Sequence, residues 1–479
     1  MNLLFFELQN VFLPEAILLI FIIFNIVATL TFGKRIYKFS SRIALFAVLL
    51  PLITITAGIA HGGYTIFSEN YIQTNFTMVM RVLILMGTFF TILLSQNIIK
   101  KLRFRAFEYY TILLTSTFSA MCLVGANDFV PMFIALSGMS ISNIILIAYW
   151  NKYKPKEAAI KYLISSAVGM GFFLFGASVM YGISGEMNFN LLNLHYYGQD
   201  SSLLFVLASM FMVFGMMFFA GCVPFNRWIP DVFQGSPYPV CAYLSFVPVV
   251  AGLSILARFF GNIMTEAPLM QLILSVIAIL TIACGFLAII RQTDIKRFLG
   301  YSAVAQSGLM LLGLSIFSSY GTASFVYFAI VYLFINYGIW AGGITFVACA
   351  KSDNIEDYKG LFYIRPYYTS AFVFCIAALA GLPPTAGFLS RLYLYSSAMR
   401  IDLSGLPVLL IVLLITVAGI YGYFRLIGIM FDKSAKRELF YKEQMNTKIV
   451  LYFCTLMTLV TFFFANQIIW LSMFAALDL

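Results

Sequence analysis

Ionisable side chains inside the apolar blocks are the residues of this chain whose type and position could carry chemistry. Arg391 and Arg425 stand within such blocks, whereas Arg81 and Arg258 lie near block ends, from which a long side chain can snorkel to polar surroundings. A charged group in a hydrocarbon layer costs about 2.5–3.5 kcal/mol and usually persists because it has a function. An active proton route should contain several, and this sequence offers almost none. Arg391 could bias the local field or hold an anion, but an arginine stays charged and carries protons poorly.

Each candidate has a structural interpretation beside the functional one. Glu157 and Lys161 lie at the inner end of an apolar block, where proton entry and solvated anchoring are both possible. Asp128 follows an asparagine in a tight outer turn, which predicts a cap on the next helix. Arg425 could hold a neighbouring subunit or a lipid head group. Arg391 could also snorkel or pair with a carbonyl group near a helix break.

The sequence predicts no metal, nucleotide or flavin site. The patterns C-x-x-C, H-E-x-x-H, G-x-x-x-x-G-K and G-x-G-x-x-G are missing from it. Zinc and iron–sulfur sites need clustered ligands, but His61 and His195 are far apart. The cysteines are scattered and are expected to pack as small apolar residues; they are Cys122, Cys222, Cys241, Cys284, Cys349, Cys375 and Cys454. Any redox chemistry must therefore occur on another chain.

The elements that must position these groups are membrane-spanning helices. Of the 479 residues, 62% are hydrophobic and 10% are charged, against roughly 45–50% and about 25% in soluble domains. We count fourteen apolar blocks of a length that crosses a bilayer. With the N-terminus outside, most of the 29 Lys and Arg residues fall in inner connections, as the positive-inside rule expects. Both termini are therefore predicted to lie outside, and the net charge of +10 indicates topology rather than nucleic-acid binding.

Two breaks that contain proline interrupt the apolar pattern. Residues 221–240 carry four prolines, and a proline inside a helix removes a donor and breaks the helix. Broken backbone at membrane depth survives only where protein or a water-filled cavity covers it, so this stretch should lie inside the bundle. A-G-C-V-P ends the seventh block at Pro224, and A-G-L-P-P interrupts the twelfth at Pro383 and Pro384. The two breaks are five spans apart. Because five is an odd number, the chain crosses the membrane in opposite directions at the two breaks, which is typical of inverted repeats in transporters.

The first break has a specific pattern, V-P-F-x-x-W-x-P-D-V-x-Q-G-x-P-x-P-V, at residues 223–240. This pattern resembles subunit N of NADH-quinone oxidoreductase (respiratory complex I), the ND-two family, and differs from the loop of related antiporter-like subunits. Three further stretches agree: A-N-D at 126–128, E-A-A-I-K-Y at 157–162 and D-I-K-R-F-L-G-Y-S at 294–302. The resemblance covers about residues 105–430.

The resemblance implies an all-α integral membrane protein of about fourteen transmembrane helices, with two inverted five-helix repeats in which helices 7 and 12 are broken. Within a single polytopic domain, 1–479, residues 1–104 would hold helices 1–3, 105–263 the first repeat (helices 4–8), 264–431 the second (helices 9–13) and 432–479 helix 14. The chain would lie in a bacterial plasma membrane or a mitochondrial inner membrane.

The resemblance also implies a non-redox subunit of proton-translocating NADH:quinone oxidoreductase. Electrons would pass from NADH to quinone on other subunits, and the energy released would move protons. NADH, FMN, iron–sulfur clusters and quinone would bind those partner subunits, with no cofactor on this chain. Its partners would be other membrane-arm subunits and lipids, and no nucleic acid.

The chain departs from the family at the positions that handle protons. Members typically place a glutamate in the fifth span, lysines in the seventh, eighth and twelfth, and a histidine in the tenth. In the order of spans five, seven, eight, ten and twelve, the corresponding residues here are Ser137, Phe219, Val249, Gln306 and Arg391. Burial can bring a lysine into the neutral range, but Ser, Phe, Val and Gln side chains cannot exchange protons there.

Three hypotheses are compatible with these observations. The chain could conduct protons through waters and hydroxyl groups such as those of Tyr301 and Ser302. It could instead be a structural member of complex I without its own proton route, which the substitutions favour. The third hypothesis is a subunit of a multi-subunit cation/proton antiporter with no redox partner, which the pattern at residues 223–240 disfavours.

Overall fold

The fold is a bundle of helices with one small hairpin. The computed structural model describes residues 11–32, 39–58, 64–66, 69–99, 106–150, 153–192, 203–263, 268–350, 352–399, 405–433 and 445–477. His61 and His195 lie outside these residues, so the prediction that they form no metal site is not tested there.

In the first half of the chain, ten helices and two strands have both of their ends among the described residues, and a further helical turn lies at 189–192. The helices are α1 (Leu13–Phe32), α2 (Ser40–Gly58), α3 (Asn75–Ile99), α4 (Ala106–Gly125), α5 (Phe129–Ala148), α6 (Tyr153–Ser184), α7 (Leu203–Ala220), α8 (Trp228–Gly235), α9 (Tyr238–Leu244) and α10 (Val247–Ile263). Strands β1 (Tyr64–Ile66) and β2 (Tyr71–Gln73) pair in antiparallel fashion between α2 and α3. Apart from this hairpin of two three-residue strands, the named elements are helical, in agreement with the predicted helical fold class.

The second half contains nine more helices and a short 3₁₀ turn at Ile355–Tyr358. They are α11 (Pro268–Ile289), α12 (Ile295–Leu314), α13 (Ser319–Ala350), α14 (Leu361–Ile364), α15 (Pro366–Ala380), α16 (Ala386–Ala398), α17 (Gly405–Phe431), α18 (Met445–Phe463) and α19 (Ala465–Ala476).

Eleven helical segments among the described residues are long and apolar enough to cross a membrane, and α2 and α15 contribute shorter apolar helices. The chain is therefore a multi-pass helical membrane protein. Its most enclosed parts are α13 and the stretch Tyr238–Gly261, whereas α1, α6, α17 and α18 leave most of their apolar surface outside. Such surface is stable only against lipid or a partner, because water would leave it hydrated at a cost.

The two breaks end their helices in the same way. At the end of α7, Gly221 has φ +68°, and the amides of Gly221 and Cys222 donate to carbonyl groups of α7 at 3.1 Å each. At the end of α15, Gly381 has φ +74°, and the amides of Gly381 and Leu382 donate to carbonyl groups of α15 at 3.0 Å each. A glycine in the left-handed region is what this paired termination requires. Each break continues through a cis proline peptide, at Pro224 and at Pro383–Pro384.

An aspartate that caps a helix and also forms a backbone bridge with a distant asparagine occurs twice in the chain. Asp128 caps α5 and forms an isolated backbone bridge with Asn188, which follows α6. Asp294 caps α12 and forms the same kind of bridge with Asn354, which follows α13. The helices enclosed by the two bridges, α6 and α13, are both 32 residues long. Each half of the chain thus contains a capped helix followed by a helix of 32 residues, and a backbone bridge joins the capping residue to a residue beyond the second helix.

Candidate functional site

Four of the five positions that the resemblance assigns to proton handling contain no group that can carry charge, and three of them, Ser137, Phe219 and Val249, lie in the first half of the chain. Phe219 on α7 is 1% exposed, and its ring lies 4.9 Å from that of Phe218. Val249 on α10 is likewise buried. The hydroxyl of Ser137 donates to the carbonyl of Ile134 on its own helix, at 2.9 Å. The first half therefore has apolar packing, or a hydroxyl satisfied by its own helix, at each of these positions.

The other two positions, Gln306 and Arg391, meet at one cavity. It lies between α12, α13, α15 and α16 and has a volume of about 10 Å³, which is room for roughly one water molecule. Its polar lining comes from Gln306, Tyr332, Ser390 and Arg391, and the rest of its wall is mostly apolar. This is where we place the candidate site.

Arg391 holds the two halves of the broken helix together. Its Nη1 donates to the carbonyl of Ala380 at 2.6 Å, and its Nη2 donates to the carbonyl of Leu379. Both carbonyls belong to the last turn of α15, where the negative end of the helix dipole favours a cation. The guanidinium also lies 5.6 Å from the centre of the Phe286 ring. The expectation that Arg391 pairs with carbonyl groups near the break is confirmed.

Close approach of α15 and α16 makes this contact possible. A Cβ atom at Gly387 would collide with the carbonyl oxygen of Ala378. Glycine is therefore required at this position, because the backbone of one half-helix lies directly against the other. Arg391 follows Gly387 by one helical turn and faces the same end of α15.

A hydroxyl pair lies beside the cavity. The hydroxyl oxygens of Ser302 on α12 and Tyr423 on α17 are 2.6 Å apart, and both side chains are buried. Ser302 was a candidate from sequence, whereas Tyr423 was missed because nothing in its local sequence sets it apart from other tyrosines. Helix α12 thus contributes both Ser302 and Gln306, one turn apart, to the polar interior of the second half.

Glu157 and Lys161 belong to a charge network near the N-terminal end of α6. Lys161 Nζ lies 2.9 Å from Glu157 Oε1 and 3.5 Å from Asp231 Oδ2, and the two partners in the first pair are 45% and 47% exposed. Asp231 also pairs with Arg297 at 2.7 Å. The network joins α6, α8 and α12 at a solvated surface, which favours anchoring over proton entry.

Two further candidates have partners within the chain. Asp128 accepts from the amide of Val130 at 2.8 Å, so the predicted helix cap is confirmed. Arg425 donates to the carbonyl of Ile290 at 2.9 Å and lies 3.9 Å from Glu356. This residue therefore connects α17 to the end of α11 and to the 3₁₀ turn.

The snorkelling prediction for Arg81 and Arg258 is wrong, because both side chains are buried. Arg81 forms an ion pair with Glu15 at 2.9 Å, with both side chains fully enclosed, and donates to the hydroxyl of Tyr71 at 2.7 Å. Arg258 donates to the carbonyls of Val124 and Ala126 and to Asn127 Oδ1, at 2.9 to 3.2 Å. These acceptors come from distant parts of the chain, so local sequence could not reveal them.

The first half also contains a buried network of uncharged polar groups. Its hydrogen bonds run across α3, α4, α5, α6 and α9 through Thr88, Thr117, Tyr243, Ser116, Asn143 and Tyr162. Hydroxyl and amide groups of this kind fasten helices to one another in a membrane. They hold the first half together with groups that carry no charge at neutral pH. Among the described residues, no three His, Cys, Asp or Glu side chains cluster as metal ligands.

Fold and site together define a polytopic helical membrane protein with two broken helices and one buried arginine at the second break. The chain belongs to the NADH:quinone oxidoreductase/Mrp antiporter transmembrane family, whose profile matches residues 126–418. NAD(P)H-quinone oxidoreductase subunit 2 of Acaryochloris marina is 34% identical over 428 residues, which cover 88% of this chain and 81% of the relative. The chloroplastic protein of the same name from Chlorokybus atmophyticus is 33% identical and covers 90% of this chain and 85% of its own length.

Solved structures share the fold at lower identity. A chain of respiratory complex I from Thermus thermophilus aligns with a TM-score of 0.80, at 24% identity, over 95% of this chain and 98% of its own. A chain of the membrane-bound sulfane sulfur reductase, an archaeal respiratory membrane complex, gives 0.87 at 23% identity over 97% and 96%. A chain of the Mrp complex from Dietzia gives 0.84 at 15% identity over 98% and 97%.

Proposed function

We propose that this chain is a membrane-arm subunit of a proton-translocating NADH:quinone oxidoreductase. One observation carries the proposal: relatives named NAD(P)H-quinone oxidoreductase subunit 2 are 32–34% identical over about nine-tenths of the chain. The pattern at residues 223–240 supports the same assignment. The antiporter alternative is weaker, since the likeness to the Mrp chain is at 15% identity and concerns the fold alone.

The proposal includes the topology of the chain. Helices α2 and α12 and the α15–α16 pair, added to the eleven long apolar segments, support fourteen spans. The paired breaks and paired Asp–Asn bridges support two inverted repeats, at 105–263 and 264–431, within the single domain 1–479. Helices 1–3 lie in 1–104 and helix 14 in 432–479. Both termini face the outer side of a bacterial plasma membrane or a mitochondrial inner membrane, in agreement with the Lys and Arg distribution.

The chain serves the complex without a redox site of its own. NADH, FMN, iron–sulfur clusters and quinone bind partner subunits, and the exposed apolar faces of the outer helices contact other membrane-arm subunits and lipids. This assignment is tested by extracting the complex in mild detergent through a tag on this chain. Flavin- and iron–sulfur-bearing subunits are expected to copurify, whereas a stable assembly of antiporter-type subunits alone would contradict the proposal.

The chain itself carries no proton route of the family type. Phe219 and Val249 are buried in apolar packing, and Arg391 is fixed on backbone carbonyls rather than on an acid with which it could exchange partners. Proton transfer needs groups that bind and release protons near neutral pH, and these positions supply none. We assign the subunit a structural role in the membrane arm.

A structural role for this subunit predicts a lower ratio of protons moved across the membrane to NADH oxidised. Proteoliposomes containing the intact complex should extrude fewer protons per NADH than those containing a related complex whose corresponding subunit keeps the lysines. Both complexes are compared at equal NADH oxidation rates, with a pH-sensitive dye and a rotenone-type inhibitor blank. Equal proton-to-electron ratios would refute the structural role while leaving membership of the complex intact.

A further inference from the structure

Helix α15 forms the floor of a furrow on the outside of the bundle. It packs against α13 and against both α17 and α18, and these last two helices do not pack extensively against each other among the described residues. The face of α15 that its neighbours leave uncovered contains Tyr367, which is 79% exposed, the exposed Ser370 and the half-buried Phe374. Their spacing of three and four residues places them on one stripe of the helix. The furrow therefore runs along α15 between α17 and α18.

The length and composition of the furrow suit one leaflet of a bilayer. Helix α15 has 15 residues, which corresponds to about 22 Å. The hydrocarbon core of a bilayer is about 30 Å thick, so one leaflet contributes roughly 15 Å of it. The flanking helices α17 and α18 are apolar and largely uncovered. An acyl chain could lie along the whole floor.

The end of the furrow at which α15 begins is basic and aromatic. Lys433 follows the last turn of α17, and its Nζ lies 5.8 Å from the centre of the Tyr363 ring. Lys448 is in the first turn of α18, and its Nζ lies 5.7 Å from the centre of the Tyr368 ring. Arg365 directly precedes α15, between the two tyrosines in the chain. The two helices that flank the furrow thus each bring a lysine to the beginning of its floor.

This end of the furrow also has an excess of positive charge. From the 3₁₀ turn to the first turn of α15, in the last two turns of α17 and the two residues after it, and in the first turn of α18, three carboxylates accompany five cations: Glu356, Asp357 and Asp432, with Lys359, Arg365, Arg425, Lys433 and Lys448. Glu356 pairs with Lys359 at 3.0 Å and lies 3.9 Å from Arg425, and Asp432 interacts electrostatically with Lys359. An anionic ligand is therefore favoured beside the two lysines of the furrow.

The occupant must match a basic end and an apolar floor at once. Exposed tyrosines mark the level of the lipid headgroups, and lysines next to membrane-spanning helices attract anionic lipids. An acidic protein segment would match the basic end but not the apolar floor, whereas a phospholipid matches both.

We propose that the furrow between α17 and α18 binds one anionic glycerophospholipid. Its phosphodiester lies between Lys433 and Lys448, and one acyl chain lies along the stripe of Tyr367, Ser370 and Phe374. This site goes beyond the proposed function and does not depend on it, because the furrow is formed within this chain.

The test uses the intact detergent-extracted complex, reconstituted in phosphatidylcholine vesicles with a trace of phosphatidylglycerol that carries a photoreactive acyl chain. After illumination, mass spectrometry should find the label on peptides that contain the stripe of α15. Unlabelled phosphatidylglycerol should displace it, and additional phosphatidylcholine should not. The double variant Lys433→Gln, Lys448→Gln should reduce this labelling by at least roughly tenfold, since each lysine near a membrane surface contributes a factor of about five to the binding of anionic lipid.

The matched control is the double variant Lys154→Gln, Lys156→Gln, which removes the same charge from exposed positions at the start of α6. It should retain the labelling of α15. Equal labelling in the two double variants, or equal displacement by both lipids, would overturn the proposal. If the furrow variant fails to assemble, single-particle imaging of the wild-type complex in nanodiscs containing phosphatidylglycerol decides. Two-tailed density with its headgroup at Lys433 and Lys448 is expected, whereas a protein segment in the furrow or an empty furrow would contradict the assignment.

Discussion

Replacement of Arg81 by methionine should destabilise the chain strongly, because it leaves a buried carboxylate without its counter-charge. Arg81 and Glu15 are both fully enclosed, with 2.9 Å between Arg81 Nε and Glu15 Oε1. Breaking a buried ion pair by removing one partner costs about 3–5 kcal/mol. Methionine fills much of the arginine volume, so a cavity contributes little to this cost. The charge left on Glu15 is the dominant cause.

The double variant separates the charge from the rest of the change. Glu15→Gln in the Arg81→Met background removes the unpaired charge, and its amide oxygen can still accept from the hydroxyl of Tyr71, which now donates to Glu15 at 2.9 Å. Replacement of a buried pair by uncharged groups is often nearly neutral. The double variant should therefore recover at least about 2 kcal/mol relative to Arg81→Met alone.

The assay is thermal unfolding of the detergent-extracted complex, followed for this subunit by protease resistance after heating. Lys161→Met is the matched control, since Lys161 and Glu157 form a pair at the same 2.9 Å but are 45% and 47% exposed. An exposed pair contributes about 0–1 kcal/mol, so the control should shift the midpoint little. Equal shifts in Arg81→Met and Lys161→Met, or no recovery in the double variant, would refute the reasoning.

Three further predictions follow from other contacts. Gly387→Ala should destabilise the second half by more than about 2 kcal/mol, because the new methyl group would collide with the Ala378 carbonyl, whereas Gly428→Ala, with open space around it, should be neutral in the same heating assay. Asp128→Ala should cost about 1 kcal/mol through loss of the helix cap, and Asp128→Asn, which can still accept, should cost less. Burial raises the pKa of Tyr358 well above its usual 10.0, so the neutral phenol stabilises the fold at neutral pH and this contribution is lost as the pH rises above about 10. Tyr358→Phe should then lose less thermal stability than the wild type between pH 8 and pH 11, and an equal loss would contradict the assignment.

Features with a local or periodic cause could be predicted from sequence. The apolar blocks predict helices because every span must satisfy its own backbone in lipid, and the eleven long apolar segments confirm that class of protein. The two breaks were located because proline and glycine act on their own backbone, and Asp128 was recognised as a cap because it bonds to an amide two residues away.

The partners of the buried charges could not be predicted in this way. Arg81 and Arg258 were expected to snorkel, yet Arg81 binds Glu15 and Tyr71, and Arg258 binds carbonyl groups 132 and 134 residues away along the chain. A side chain at a block end can turn outward or inward. Which it does depends on whether distant elements present acceptors to it, and periodicity contains no information about this.

The sequence by itself determined that the chain crosses a membrane many times and where its helices break. These properties follow from the composition and identity of individual residues. Tertiary structure alone decided that Gln306 and Arg391 share one cavity, that Arg391 is fixed on the end of α15, and that Glu15 neutralises Arg81. The physical reason is that a buried charge or donor must find its partner in three dimensions, and the packing of distant helices determines which group is within reach.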